Sequence, residues 1–238
     1  MKAIALIPAR YAASRFPGKL MQELKGKTVI RHTYDATVTT ALFDEVIVIT
    51  DSDIIYQEIT VHGGTAMMSK QQHESGTDRI AEAAKILAGD VIVNVQGDTP
   101  FVKKQPLQKL LHQFDDEAVQ VASLMQVLDD AALIADENFV KVCVDKNSNA
   151  LFFSRSIIPF PRNKNIAITY FEHIGVYAFR KKALLDFTAW PVSVLEDAEK
   201  IECLRYLENG VGIRMVQTNF MGVEIDTPED LRRAEKLL

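Results

Sequence analysis

Ala3-Ile4-Ala5-Leu6-Ile7-Pro8-Ala9-Arg10-Tyr11-Ala12-Ala13-Ser14-Arg15-Phe16-Pro17-Gly18-Lys19 joins two kinds of sequence without a break. Residues 3–7 are all apolar and do not alternate with polar ones, the pattern of a strand covered on both faces. The residues that follow carry Arg10, Arg15 and Lys19, with Gly18 among them. Loops past the carboxyl ends of strands are where open α/β sheets take ligands. Guanidinium forks and a lysine point charge suit a triphosphate there. Surface loops are often charged, and a solvated basic loop is the plainer reading of three cations. Their place after the first strand favours phosphate. A Walker A loop is excluded: Gly26-Lys27-Thr28 mimics its end, but Met21 stands where its first glycine belongs.

Outward from this stretch, residues 46–49 and 91–95 repeat the buried-strand pattern. Helical patterns fill residues 29–40, 53–62 and 78–87, and Gly63-Gly64 punctuates the second of these before a short strand at 66–68. The β-α-β-α order predicts a Rossmann-like α/β fold, a mainly parallel sheet flanked by helices. Further on, residues 121–127, 140–144 and 174–179 read as strands. A helix is expected over 196–208, stopped by Asn209-Gly210. No linker, repeat or low-complexity segment interrupts the chain, so residues 1–238 are expected to form one domain.

The 238 residues are 47% apolar and 25% charged with a net charge of −5, a globular composition. A nucleic-acid binder would show a basic face, and no membrane span or signal peptide is legible. We therefore expect a cytoplasmic protein with no nucleic-acid or membrane partner. Cys143 and Cys203 are expected to be free thiols, and the five histidines lack zinc-site spacing.

Two acidic residues are candidate metal ligands. Asp98 follows the run at 91–95 through Gln96-Gly97, and Asp226 follows Val223 and Ile225. Magnesium typically takes one or two carboxylates together with phosphate oxygens and water. Each also has a local reading: Asp98 in a turn with Gly97, Thr99 and Pro100, and Asp226 beside a helix start. There Thr227 would be the N-cap, Pro228 the first helical residue and Asp230 the partner in a capping box. Both carboxylates near a cationic loop favour a metal site.

These segments taken together resemble the 3-deoxy-manno-octulosonate (Kdo) cytidylyltransferases, the CMP-Kdo synthetases. The resemblance rests on IPARYAASRFPGK (7–19), HESGTDR (73–79), VNVQGD (93–98), LFFSRSIIPFPR (151–162), HIGVYAFR (173–180) and IDTPEDL (225–231), in order along almost the whole chain. It implies a nucleotide-diphospho-sugar transferase fold, a homodimer, Mg²⁺, CTP and an acidic eight-carbon sugar, with a product that feeds lipopolysaccharide biosynthesis. By position it implies that Arg10, Arg15 and Lys19 face the triphosphate and that Ser75, Gly76, Thr77 and Arg79 hold the nucleotide. Lys19, Asp98 and Asp226 would be catalytic, the two carboxylates binding metal. Gln96, Arg155, His173, Tyr177 and Glu202 would line the sugar side.

Read on their own residue types, the sugar-side positions are less decisive. Arg155 suits a carboxylate through bidentate bonding, or a structural ion pair. His173 reads as a satisfied core histidine, with Tyr177 on the same face of a regular strand. Glu196, Glu199 and Glu202 recur at a three-residue step, mildly unfavourable on a helix and ordinarily a solvated face. The chain departs from the family pattern at Thr99, where glutamate is usual, at Glu172, where a basic residue is common, and at Cys203 in place of glutamine. Glu172 motivates a second reading, the same chemistry on an 8-amino form of Kdo. A third is a nucleotide-binding regulatory module without turnover.

Overall fold

The computed structural model describes residues 1–12, 16–73, 75–219 and 224–237. The chain divides into two compact units, residues 1–108 with 221–238, and residues 109–220.

The first unit begins with β1 (Ala3–Ala9), then a two-residue hairpin of β2 (Glu23–Leu24) and β3 (Lys27–Thr28). There follow α1 (Val29–Thr39), β4 (Glu45–Thr50), α2 (Asp53–Val61), β5 (Ala66–Met68), α3 (Gly76–Ala84) and β6 (Val91–Asn94). Its strands form a parallel array in the order β6-β1-β4-β5. Every residue of β1 and β6 is buried, the reason neither strand alternates. Side-chain hydroxyls start the helices: Thr28 accepts from Arg31 N, Ser52 from Ile55 N and Ser75 from Asp78 N. The Ser75 cap sets α3 at Gly76, two residues before the start its apolar pattern suggests.

α4 (Lys104–His112) carries the chain into the second unit. There β7 (Val121–Leu128), α5 (Ala131–Ala135), β8 (Lys141–Val144), β9 (Ala150–Ser154) and β10 (Tyr170–Arg180) are followed by α6 (Lys181–Ala189), α7 (Val194–Glu199), α8 (Leu204–Glu208) and β11 (Ile213–Gln217). β7 lies between β11, parallel to it, and β10, antiparallel; β8 pairs antiparallel with β10 and β9. The helix expected over 196–208 is two short helices. Lys200 between them takes the left-handed conformation, φ 53°, and the break folds Arg205 back onto Glu196. Arg205 Nε donates to Glu196 Oε2 at 2.7 Å, and its guanidinium stacks 4.0 Å from the Phe187 ring centre. Glu196 is therefore buried and paired, not part of a solvated face.

The chain returns to the first unit with α9 (Pro228–Glu235), started by Thr227 and Asp230 as a capping box with Pro228 in its first turn. Cys143 and Cys203 are free. Among the described residues, no helix is long and apolar enough to cross a membrane.

Candidate active site

The cationic loop, the Asp98 turn and the Asp226 segment meet at the carboxyl ends of β1 and β6. Gly18 takes a left-handed conformation, φ 67°, which glycine adopts without the Cβ clash of other residues. Its N–H donates to Tyr11 O at 3.0 Å, closing the loop and starting the 3₁₀ turn Lys19–Met21. That turn buries Leu20 and turns Lys19 back toward the strand ends.

Asp98 is held by a turn fixed at both sides. Thr99 donates its N–H at 3.2 Å and its hydroxyl at 2.5 Å to Gln96 O. A Cβ on Gly97 would stand 2.9 Å from the backbone oxygen of Pro8, so only glycine lets the turn lie this close to β1. The Asp98 carbonyl accepts from Ile225 N at 3.0 Å, which brings the Asp226 segment alongside. Thr227 and Asp230 carry out the helix capping themselves, and Asp230 Oδ2 accepts from Thr227 N at 2.9 Å and from Asp226 N at 3.3 Å. The carboxylate of Asp226 is thereby left to face Lys19.

Lys19 Nζ donates to Asp226 Oδ1 at 2.8 Å and to Asp98 Oδ2, the lysine side chain being only 14% exposed. Burial depresses the Lys19 pKa, but the Asp98 charge and the hydrogen bonds to both carboxylates outweigh it, and the net shift is upward. Among the described residues, no three histidine, cysteine or acidic side chains converge as a self-sufficient metal cage. Two converging carboxylates that already bracket a positive group are the donor set magnesium uses when phosphate and water complete its shell. Asp98 and Asp226 fit that ion.

Around this pair, Arg10 is exposed directly after β1; Arg15 lies outside the described residues. Ser75 caps α3 and also donates its hydroxyl to Asp78 Oδ2 at 2.9 Å. A Cβ on Gly76 would sit 3.2 Å from Pro8 Cγ and 3.9 Å from Gln96 Oε1, so the first turn of α3, Gln96 and the end of β1 share one neighbourhood. Thr77 is buried in that turn. Arg79 points inward and donates to Asp51 Oδ2 at 2.7 Å. Asp51 was missed from sequence, although it follows the apolar run of β4 as Asp98 follows that of β6.

The remaining sugar-side candidates belong to the second unit. His173 Nε2 lies 3.0 Å from Ser123 Oγ, and its ring centre is 5.3 Å from that of Tyr177 despite a register shift between Ile174 and Tyr177. Burial lowers the His173 pKa to about 4, which keeps the ring neutral near pH 7. Burial raises Tyr177, with Cys203 and Glu202 adding to the shift, and pushes the Cys203 thiol up to about 12. Tyr177, Cys203 and Glu202 are thus close enough to interact. Arg155 donates Nε to Glu199 O at 2.7 Å, Nη1 to Glu137 O at 2.9 Å and Nη2 to Lys200 O at 3.4 Å. Glu199 accepts from Ser154 Oγ at 2.6 Å and from Arg155 N at 3.0 Å, so it too is not a solvated charge. Glu172 accepts from Gln126 Nε2 at 2.7 Å, and burial raises its pKa against the opposing effects of that bond and of Lys141.

The family model described as "Cytidylyltransferase" matches residues 4–236. A 3-deoxy-manno-octulosonate cytidylyltransferase of Flavobacterium johnsoniae is 55% identical over 100% of this chain and 99% of its own length. One of Christiangramia forsetii is 54% identical over 100% and 97%. Among solved structures, a CMP:2-keto-3-deoxy-manno-octonic acid synthetase complexed with CTP superposes with a TM-score of 0.95 at 39% identity, covering 100% of this chain and 98% of the other. A 4-diphosphocytidyl-2C-methyl-D-erythritol synthase of Anaerococcus prevotii shares the fold, with a TM-score of 0.68 at 18% identity over 99% of this chain and 98% of that one. With a model match along nearly its whole length and relatives more than half identical from end to end, the chain belongs to the cytidylyltransferase family.

Proposed function

We propose that this chain is a 3-deoxy-manno-octulosonate cytidylyltransferase, converting CTP and Kdo to CMP-Kdo and pyrophosphate. The observation that carries the chemistry is one lysine ammonium bracketed by two carboxylates at the strand ends, an arrangement suited to neutralising the charge of a reacting triphosphate. The full-length relatives support the acceptor. The anomeric hydroxyl oxygen of the sugar bonds to the α-phosphorus, the bond from that phosphorus to the bridging oxygen breaks, and pyrophosphate leaves with the electron pair. The hydroxyl proton passes to solvent.

The protein's part is positioning and neutralisation of charge. Arg10, Arg15 and Lys19 face the triphosphate, and Ser75, Gly76, Thr77 and Arg79 hold the nucleoside end, Arg79 from behind through Asp51. Asp98 and Asp226 hold Mg²⁺, which when bound lowers the pKa of the attacking hydroxyl and neutralises phosphate charge. Gln96, His173, Tyr177, Glu202 and Arg155 serve the sugar. We place the enzyme in the cytoplasm as a homodimer, supplying lipopolysaccharide biosynthesis.

Pyrophosphate release with CTP and a panel of acidic sugars tests this reading. Release is expected with Kdo, the acceptor named in the full-length relatives, and release with the 8-amino form alone would favour the second reading, in which Glu172 meets an ammonium. Binding of CTP with no release on any sugar would leave only a regulatory module.

Arg155 supplies a second test. Three of the five N–H donors of its guanidinium meet backbone carbonyls. The guanidinium so held presents the planar fork that a bidentate carboxylate takes. Charged hydrogen bonds are worth roughly 1.5–3 kcal/mol, so Arg155→Ala should lower kcat/KM for the sugar by about ten- to a hundredfold. Lysine should rescue it only partly, lacking the planar fork, and CTP affinity should barely change. A defect confined to CTP would assign Arg155 to the other substrate.

A further inference from the structure

Between β5 and α3 the chain must cross from the end of one strand to the helix whose first turn faces β1. Three donors from this crossing converge on one side chain, Glu82, on the far half of α3. Ser69 Oγ donates to Glu82 Oε2 at 2.8 Å and Lys70 N to Glu82 Oε1 at 2.8 Å. His73 Nε2 reaches Oε2 at 2.5 Å. The crossing is therefore tied at its start, by Ser69 and Lys70, and near its end, by His73, two residues before the helix cap at Ser75. Ser69 N also donates to Thr50 O at 2.7 Å, which fixes the start of the crossing to β4.

We infer that Glu82 is a positioning residue for the nucleotide: by latching segment 69–73 to α3 it sets the path into Ser75, Gly76 and Thr77. The inference rests on the reading above that these three residues hold the nucleotide. An ionised carboxylate accepts from all three at once, Lys70 N–H being a donor only and Ser69 Oγ and His73 Nε2 both able to donate to it. Burial raises the Glu82 pKa, but the hydrogen bonds from His73, Lys70 and Ser69 bring it down to about 2, so the group is ionised at neutral pH. Glutamine has nearly the same shape but one oxygen fewer. With its oxygen on Lys70 N–H, its amide would need Ser69 Oγ and His73 Nε2 to turn acceptor, and the charge assistance at that end would be lost.

The latch predicts a defect in ground-state nucleotide binding that spares the chemical step. A charge-assisted hydrogen bond corresponds to about ten- to a hundredfold in affinity, and Glu82→Gln should raise the Kd for CTP, measured by calorimetry without sugar, by about tenfold or more. Glu82→Ala should raise it further, and Ser69→Ala, which removes one neutral donor, by about fivefold. At saturating CTP and sugar, kcat should stay near the wild-type value in each. Glu82→Asp should recover part of the affinity, since it keeps both oxygens on a shorter arm. Hydrogen exchange at the amides of residues 70–73 should accelerate in Glu82→Gln. A folded Glu82→Gln protein that binds CTP as wild type does, whatever its melting temperature, overturns the inference alone. Wild-type affinity in Thr77→Val together with Gly76→Ala instead overturns the nucleotide assignment beneath it.

Discussion

Asp98→Asn is expected to fold as wild type and to turn over at about a hundredth of the wild-type rate or less, on the scale of the hundred- to thousandfold losses that follow removal of a preorganised charge-stabilising group. Asparagine preserves the shape of the side chain and leaves the turn intact, because that turn is held by Thr99 on Gln96 O and by Ile225 on the Asp98 carbonyl. What is lost is a negative charge that pairs with the Lys19 ammonium and that, in the proposed function, would also hold the metal. Steady-state rates at several magnesium concentrations, with Mn²⁺ binding followed directly, separate these roles. Weakened metal binding with no more than a small fall in melting temperature, from the lost Lys19 contact, is the expected pair of results. A well-folded Asp98→Asn enzyme with wild-type rates would refute the assignment.

Lys19→Ala should lower kcat by about a hundredfold while changing CTP affinity only a few fold, the pattern of an interaction made chiefly in the transition state. Lys19 is suited to that part because its charge is secured before any phosphate arrives. The sign of its pKa shift adds a test against pH. A raised folded-state value means that the stability contributed by the pair of ion contacts is fully present below 10.5 and is lost only as pH rises through the still higher folded value. Lys19 is therefore charged at neutral pH, and no decline in kcat from its deprotonation is expected there. An unchanged kcat in the alanine variant would move Lys19 out of the reaction.

The first unit was legible in the sequence chiefly because β1 and β6 are buried along their whole length and β4 along most of it. β1, β4, β5 and β6 appear as the runs 3–7, 46–49, 66–68 and 91–95, each within about two residues of its ends. β9 and β11 escaped notice: Leu151 is exposed and Phe152 half-buried, and Ile213–Gln217 is interrupted by arginine, so neither resembles a covered strand. α4 has Lys104, Gln105 and Pro106 in its first turn, a polar start that reads as loop. The split of the 196–208 helix depends on a long-range gain, the burial of Glu196 with Arg205, which no helical periodicity reports. At the site the same division holds. Asp98 and Lys19 are visible because each follows a strand. Thr227, Pro228 and Asp230 are legible as the start of a helix, and the structure adds that the Asp226 carboxylate beside them meets Lys19. Asp51 carries the same signal as Asp98, a carboxylate just past a buried strand, whereas the role of Glu82 depends on how the stretch before α3 folds back on it.

The first unit is discontinuous in the chain, and Asp226 is supplied by a stretch made after the whole of the second unit. Ribosomal synthesis proceeds from the amino end, and domains fold as units as they emerge. A nascent chain that has released residues 1–108 holds Lys19, Asp98 and the four parallel strands, but not the second carboxylate. Its Ile225 N–H, which joins the two acidic segments through the Asp98 carbonyl, does not yet exist. On the proposed reading of the two carboxylates, competence for metal and turnover would arrive late in translation, and a chain cut off anywhere before residue 226 would lack one of the pair.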